Sequence, residues 1–598
     1  MNFPAEPSAA AEKKWLVPLL KARVWFSETV RPTELQITLV WAGVIGLLGA
    51  LSSVAFRRLT QGAHWLLTQQ GGGYVESFSH LVWWKRLLIP ALGGALAGAA
   101  LMLGTRFRAG KSSTDYMEAV VLGDGVVSSR MSLVKCLSAL CSIASGASIG
   151  REGPLVQLSA VLASLVGRVG KMPTPRLRLL VACGAAAGIA SAYNAPIGGA
   201  LFVAEIVLRS VAMESFGPLV FSSVIATLTV RQLTGSDPLY VITAPAVRMN
   251  SNWEIILYLL LGILAGVIAP LFLRTLRGSE KVFARLPVPG FARLALGGLI
   301  VGALAIFHPE VCGNGYSVVN KTLHGGYAWN LLAVILIFKI LATAVTFGSG
   351  AVGGVFTPTL FIGASAGYLF ASGAGALWPG AALVPDAFTL VGMGAFLAAT
   401  THAPIMAILM IFELTLDYQI ILPLMLACVV AHYVSRSFEP RSIYSESLKR
   451  KGAGTFEQQL ATLRVSDLMK RDPVAVGENA RFVEIAESFV LNRFNYLYVT
   501  DEEKNFRGVI SLHDIKSYLS SPELAGLVIA RDILRDTFPT IAPEASLAQA
   551  LSRFSRHDGE RLPVTSGDMA RRLVGSISKS DLILTLAEQA RTEPAGLS

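Results

Sequence analysis

One glutamate set among glycines concentrates the chemistry of this chain. The run Ser145-Gly-Ala-Ser-Ile-Gly150-Arg-Glu-Gly-Pro154 places Glu152 in a Gly-rich loop that passes through proline into an apolar stretch. Pro suits the first turn of a helix, and Gly lets backbone approach a ligand closely. The loop therefore reads as a helix N-terminus with free N–H groups pointing outward. Those groups, with the positive end of the helix dipole, attract an anion without a full cationic charge. A permeant anion can leave such a site, whereas a lysine or arginine in direct contact would hold it too tightly. A carboxylate there must be protonated or must itself occupy the anion site, and both options describe a gate. Ionised, Glu152 competes for the amides; protonated, it swings away. The structural alternative is an ion pair with Arg151 or Lys135. Arg151 and Gly153, which flank the glutamate, are expected to share the anion site.

The loop has a second copy. Ser349-Gly-Ala-Val-Gly-Gly354-Val-Phe-Thr-Pro358 aligns with it at an offset of 204, with five of ten positions identical. Asn194-Ala-Pro-Ile, ending in Glu205, is echoed at an offset of 208 by His402-Ala-Pro-Ile, ending in Glu413. Glycines for close helix packing would explain one such loop, but two matched pairs in the same order imply duplicated halves with a site between them.

The elements that position these loops must lie in a bilayer. Of 598 residues, 53% are hydrophobic and only 15% charged, against roughly 25% charged in soluble domains. Apolar stretches such as Leu35 to Phe56, Ile255 to Leu273, Leu331 to Val345 and Ile420 to Val434 recur, several shorter than the ~20 residues that span hydrocarbon. Short, Gly-broken segments fit helices that stop partway and line a cavity. Residues 1–34 are polar and basic, are expected to lie in the cytosol, and do not have the order of a removable signal sequence. The net charge of +11 fits the positive-inside pattern better than a nucleic-acid partner. Five cysteines without CxxC spacing indicate neither disulfides nor zinc. No Ser/His/Asp or Cys/His set supports a hydrolase, and a divalent-cation channel would need several pore-facing carboxylates. No enzyme activity is expected.

At Lys449-Arg450-Lys451 the composition turns charged and mixed α/β, so residues 35–448 read as the transmembrane domain and 449–463 as a linker. Beyond it, Gly508-Val-Ile-Ser511-Leu-His-Asp514 recurs as Gly575-Ser-Ile-Ser578-Lys-Ser-Asp581. Helix, strand, turn, strand and helix follow in the same order in each copy. The tail resembles a pair of CBS domains over about Arg464 to Ala587, the first in residues 464–525 and the second, with the C-terminal tail, in 526–598. That resemblance implies a cleft for an adenine nucleotide, with Ser511, Asp514, Ser578 and Asp581 toward the ribose; helix capping is the plainer role for the same residues. A nucleotide-sensing tail would be cytosolic.

Gly150-Arg-Glu-Gly-Pro154 with Gly353-Gly-Val-Phe-Thr-Pro358 resembles the CLC family of chloride channels and chloride/proton antiporters. Asn194-Ala-Pro196, Phe412-Glu-Leu-Thr415, Ile421-Leu-Pro423 and Ser442-Ile-Tyr444-Ser445 follow in the family's order. The resemblance implies an all-α polytopic membrane domain of two inverted repeats with around eighteen mostly tilted helices, followed by the α/β CBS pair. It also implies a homodimer in the cell membrane, each subunit with its own pathway for chloride and protons. Carried over by residue, Glu152 matches the gating glutamate, the amides of Val355 and Phe356 cradle the central anion, and the Tyr444 hydroxyl closes the inner side. Ser112 falls on the anion-binding serine.

Two departures qualify the match. The family's first anion loop reads Gly-Ser-Gly-Ile-Pro, but here it is Lys111-Ser-Ser-Thr-Asp115; a hydroxyl without proline resembles the chloride-preferring members, with nitrate and fluoride as lesser alternatives. Proton-coupled members commonly place a second glutamate just after the position of Glu205, where this chain has Ile206. Antiport gated by Glu152 is the favoured expectation, and a passive chloride channel is the alternative.

Overall fold

The computed structural model describes residues 34–444 apart from 106–112, 122, 236–238, 241–252 and 382, and residues 463–579 and 582 apart from 472, 492–495, 520–526, 555–560 and 567–570. The chain divides into two units, Met1–Leu448 and Lys449–Ser598.

Helices fill the first unit. In its first half they are α1 (Glu34–Thr68), α2 (Tyr74–His80), α3 (Trp83–Thr105), α4 (Tyr116–Val121), α5 (Ser129–Ala144), α6 (Glu152–Val169), α7 (Thr174–Tyr193), α8 (Pro196–Leu201) and α9 (Met213–Thr234). The second half holds α10 (Glu254–Ala284), α11 (Gly290–Phe307), α12 (Tyr316–Leu323), α13 (Trp329–Gly348), α14 (Phe356–Leu377), α15 (Pro385–Thr401), α16 (Pro404–Thr415) and α17 (Ile421–Phe438). Among the described residues, eight of these are long and apolar enough to cross a membrane. α8 and α16 are shorter, as expected of helices that end inside the protein. α7 and α15 are surrounded by protein, with every residue from Leu180 to Tyr193 and from Ala387 to Thr401 buried.

Backbone geometry repeats along with the sequence. α5 to α9 match α13 to α17 in order, and three of the matched breaks carry the same conformation. Gly146 and Gly350 have φ of 90° and 95°, a region that glycine enters freely. Asn194 and His402 end α7 and α15 at φ 59° and 58°, and Arg209 and Leu416 follow at 53° and 56°. A left-handed leucine costs about 1–2 kcal/mol, so the duplicated backbone prevails over residue preference at that step.

The relation between the halves is fixed where α3 meets α11. A Cβ on Gly94 would come within 2.3 Å of the Leu294 carbonyl oxygen, and one on Gly298 within 2.1 Å of that of Pro90. Gly98 likewise lies on Phe291, and Gly302 on Leu87. Numbers rise along one helix as they fall along the other, so the two are antiparallel. The contacts are also reciprocal, since each partner sits at the 204-residue offset from its counterpart. Equivalent bilayer-length helices running in opposite directions put the two-fold axis in the membrane plane. The repeat is inverted.

The second unit contains two small sheets. β1 (Lys470–Arg471), β2 (Ala475–Gly477), α18 (Phe482–Leu491), β3 (Tyr496–Thr500), β4 (Phe506–Ser511) and α19 (Leu512–Leu519) precede α20 (Ala530–Ile533), α21 (Leu547–Phe554), β5 (Arg561–Thr565) and β6 (Leu573–Ser578). Strand order is β2-β3-β4 in one sheet and β1-β6-β5 in the other. β1 opens the first copy yet pairs with the second, and Phe506 N–H donates to the Arg571 carbonyl at 3.0 Å. The two copies are thus tied by backbone.

Candidate anion pathway

The two Gly-rich loops cross at the centre of the membrane unit. Gly150 N–H donates to the Gly354 carbonyl at 2.7 Å, and Gly354 N–H returns the bond to Gly150 at 3.0 Å. Ser145 and Ser349 brace the loops identically, each hydroxyl donating at 2.9 Å to a carbonyl three residues back, on Ser142 and Thr346. This crossing brings the N-termini of α6 and α14 together.

Glu152 opens α6 and reaches across to α14. Its carboxylate accepts the Thr357 N–H at 3.0 Å and the Thr357 hydroxyl at 3.1 Å, and the residue is only 3% exposed. The carboxylate therefore lies where the dipole and free amides of a helix N-terminus draw negative charge. Two glycines make room for it: a Cβ on Gly150 would come within 2.1 Å of a carboxylate oxygen, and one on Gly354 within 2.5 Å of Glu152 Cγ. Because the Thr357 hydroxyl gives its single proton to Glu152, the Tyr193 hydroxyl, 3.0 Å away, must donate to it. The Tyr316 hydroxyl stands 3.4 Å from the same oxygen. From Thr357 an aromatic series continues, with ring centroids 4.8 Å apart for Tyr193 and Phe356, 6.3 Å for Phe356 and Phe202, and 5.3 Å for Phe202 and Tyr444.

Not every expected residue joins this cluster. Val355 is the N-cap and Phe356 the first residue of α14, and the carboxylate engages the next residue along. Gly153 packs against the backbone of Gly353 and Gly354. Arg151 turns from Glu152 toward Tyr316, its guanidinium 5.9 Å from that ring's centroid. Lys135 donates to the Thr114 carbonyl at 2.7 Å. Ser112 lies outside the described residues. Ile206 is buried in a π-helical turn, Phe202–Leu208. In the tail, the Asp514 carboxylate accepts the Ser511 N–H at 3.3 Å and pairs with Arg535, which is a capping geometry. Ser578 ends β6, and Asp581 lies outside the described residues.

Three participants escaped sequence reasoning: Thr357, Tyr193 and Lys339. Thr357 stands inside the second Gly-rich motif, at the repeat position of Gly153. Lys339 is the repeat partner of Lys135 and is wholly buried, donating to the carbonyls of Val311 and Gly313 at 2.9 and 2.8 Å. It thereby holds the turn that delivers Tyr316.

Glu205 and Glu413 exchange caps between the halves. Glu205 accepts N–H bonds from Ile405 and Met406 at the start of α16, at 3.4 and 2.7 Å. Glu413 accepts those of Ile197 and Gly198 at the start of α8, at 2.9 and 2.7 Å.

The profile of the voltage gated chloride channel family matches residues 93–436, and the CBS domain profile matches 465–521 and 530–588. A ClcB-like chloride channel protein of Ralstonia nicotianae is 52% identical over 413 residues, covering 68% of this chain and 96% of that protein. The voltage-gated ClC-type chloride channel ClcB of Salmonella typhimurium is 42% identical over 411 residues, 68% of this chain and 98% of its own. Among solved structures, a slow cyanobacterial Cl-/H+ antiporter aligns with a TM-score of 0.62 at 27% identity, covering 69% of this chain and 97% of its own. A eukaryotic CLC transporter shares the fold with a TM-score of 0.61 at 20% identity over 91% of this chain and 97% of its own. The chain belongs to the voltage gated chloride channel family, CLC, and carries a pair of CBS domains after its membrane part.

Proposed function

We propose that this protein exchanges chloride for protons across the cell membrane, with Glu152 as both gate and proton carrier. The observation that carries the reading is the Glu152 carboxylate on the N–H and hydroxyl of Thr357 at the start of α14. A charged group held there excludes an anion from the same helix end; a proton taken up by Glu152 weakens its hold and frees the amides for chloride. One side chain then cannot serve proton and anion together, which is the condition for exchange. The antiporter structure that aligns with this chain supports the same direction.

A passive chloride channel is the second reading, and Ile206 favours it, because an isoleucine carries no proton and Glu205 beside it is engaged by the α16 amides. Purified protein in chloride-loaded liposomes separates the two when chloride efflux and external pH are recorded together. Proton uptake driven by the chloride gradient alone means exchange; brisk chloride flux without it overturns the proposal. The same vesicles with nitrate or fluoride test selectivity. We also assign a homodimer and a cytosolic tail, the latter supported by the basic run Lys449 to Lys451. Adenine nucleotide at the CBS pair is tested by calorimetry of the full chain with ATP, where absence of heat at millimolar ligand rejects it.

A further inference from the structure

Thr357 brings a side-chain donor to a helix start that otherwise offers backbone. Its hydroxyl stands 3.1 Å from the Glu152 carboxylate and 3.0 Å from the Tyr193 hydroxyl, and its N–H meets the same carboxylate at 3.0 Å. Thr357 and Tyr193 are each 1% exposed, so the pair is buried. The equivalent step of α6 is Gly153, which has no side chain. The hydroxyl is thus present at one of the two matched helix starts and absent from the other.

The placement of hydrogens follows from the acceptor. A carboxylate accepts and never donates, so Thr357 gives its single hydroxyl proton to Glu152 and accepts from Tyr193. The Tyr193 contact is within the usual reach of an O–H···O bond, about 3 Å, whereas the Tyr316 hydroxyl at 3.4 Å lies beyond it. A hydroxyl that accepts one bond becomes a stronger donor in the next, because the two polarise each other in a low-dielectric site. Tyr193 is held for this task by its place at the end of α7 and by its ring against Phe356, with centroids 4.8 Å apart. The same order of hydrogens suits chloride, because a halide ion likewise only accepts.

We infer that the Thr357 hydroxyl becomes a side-chain ligand of the anion once Glu152 has left, that Tyr193 is the positioning residue that aims it, and that the pair favours chloride over larger anions. The inference deepens the anion-transport reading above and rests on it. Backbone N–H groups at a helix start attract any anion. A hydroxyl adds a donor whose attraction falls with distance from the centre of charge, so compact chloride gains more from it than thiocyanate, whose charge is spread over three atoms.

The test removes the carboxylate first. Chloride and thiocyanate are titrated calorimetrically into the full chain carrying Glu152→Ala, in detergent. Adding Thr357→Val is expected to weaken chloride about tenfold and thiocyanate less, with Thr357→Ser close to the parent. Tyr193→Phe keeps the ring and is expected to weaken chloride severalfold, and to change nothing further once Thr357→Val is present. Chloride affinity unchanged by Thr357→Val overturns the ligand role, and equal losses for the two anions overturn the selectivity. A Tyr193→Phe effect of the same size in both backgrounds belongs to packing and overturns the positioning role. Should Thr357→Val aggregate, Thr357→Ala carries the same comparison. Liposomes of the Glu152→Ala protein separate this inference from the reading beneath it. Hydroxyl-dependent chloride binding in a protein that moves no chloride leaves the ligand role standing and rejects transport, whereas brisk chloride flux with binding indifferent to both substitutions does the reverse.

Discussion

Glu152 and Phe356 occupy the same step of the repeat, the first residue of α6 and of α14. One half supplies a carboxylate there and the other an aromatic ring, so the two-fold that organises the scaffold is broken where the two Gly-rich loops cross. A symmetric pair of glutamates would set two like charges against each other; a symmetric pair of rings would leave nothing to titrate.

Replacing the carboxylate isolates its role. Glu152→Gln keeps the size of the side chain and removes the titration, so proton movement is expected to fall to background while chloride flux continues. Simultaneous pH and chloride electrodes on the same vesicles measure both. Proton transport at the wild-type ratio in this variant would remove Glu152 from the mechanism.

Thr357→Val deletes the hydroxyl and retains the N–H. A hydrogen bond to a charged group contributes about 1.5–3 kcal/mol, so the gate's closed position should weaken by roughly tenfold or more. Faster chloride efflux at neutral pH is the expected result, with Thr357→Ser close to wild type. Equal rates in all three proteins would contradict it.

The glycine cradle offers a double-variant test. The nearest atoms to a Cβ on Gly354 all belong to Glu152, so Gly354→Ala should expel the carboxylate and raise chloride flux. In a Glu152→Ala background the same alanine should change flux little, because the atoms it strikes are gone. An equal effect in both backgrounds would mean that Gly354 acts through the backbone.

The exchanged caps predict matched stabilities. Glu205→Ala and Glu413→Ala each remove two charge-assisted bonds at a helix start, at a cost of about 1–2 kcal/mol. Thermal unfolding in detergent should show both midpoints lowered by similar amounts. A drop in only one would show that the reciprocal geometry is not reciprocal in energy.

In the tail, Asp501 offers a pH dependence outside the membrane. Desolvation raises its carboxyl, but bonds from Asn505 at 2.7 and 3.0 Å and Glu503 N–H at 3.1 Å, with Arg507 at 3.2 Å, together outweigh it and hold the group below the usual range. A depressed folded-state value means its stabilisation is present above the unfolded value of 3.8 and is lost as pH falls through the lower folded value. Asp501→Asn should therefore flatten the acid side of the tail's stability profile, as measured by circular dichroism of the full chain below pH 4.

Much of this was legible in residue types. The two Gly-rich loops marked where backbone could approach a ligand closely, and the prolines after each loop marked where helices begin. Glu152 stood out because a carboxylate among glycines in an apolar chain needs a reason. The inversion of the repeat came only with the family resemblance, because identity at an offset of 204 carries no direction; Gly94 on Leu294 and Gly298 on Pro90 display it directly. Thr357 and Tyr193 were hidden for a related cause. Their roles depend on an approach across 205 and 164 residues of sequence, and a threonine or tyrosine in an apolar helix looks like ordinary packing. In the tail, the helix-capping alternative read for Asp514 is the geometry seen, with its carboxylate on the Ser511 N–H and Arg535.

The crossing of Gly150 with Gly354 also sets a clock. Synthesis proceeds at about 5–20 residues per second, so Thr357 follows Glu152 from the ribosome by about 10–40 s. During that interval α6 begins with a carboxylate whose hydrogen-bond donors have not yet been made. The first half must wait, incompletely buried, for a segment of opposite orientation to enter the bilayer and close over it. Variants that slow insertion of α14 should therefore be recognised by cellular quality control as defects of the first half, although their lesion lies in the second.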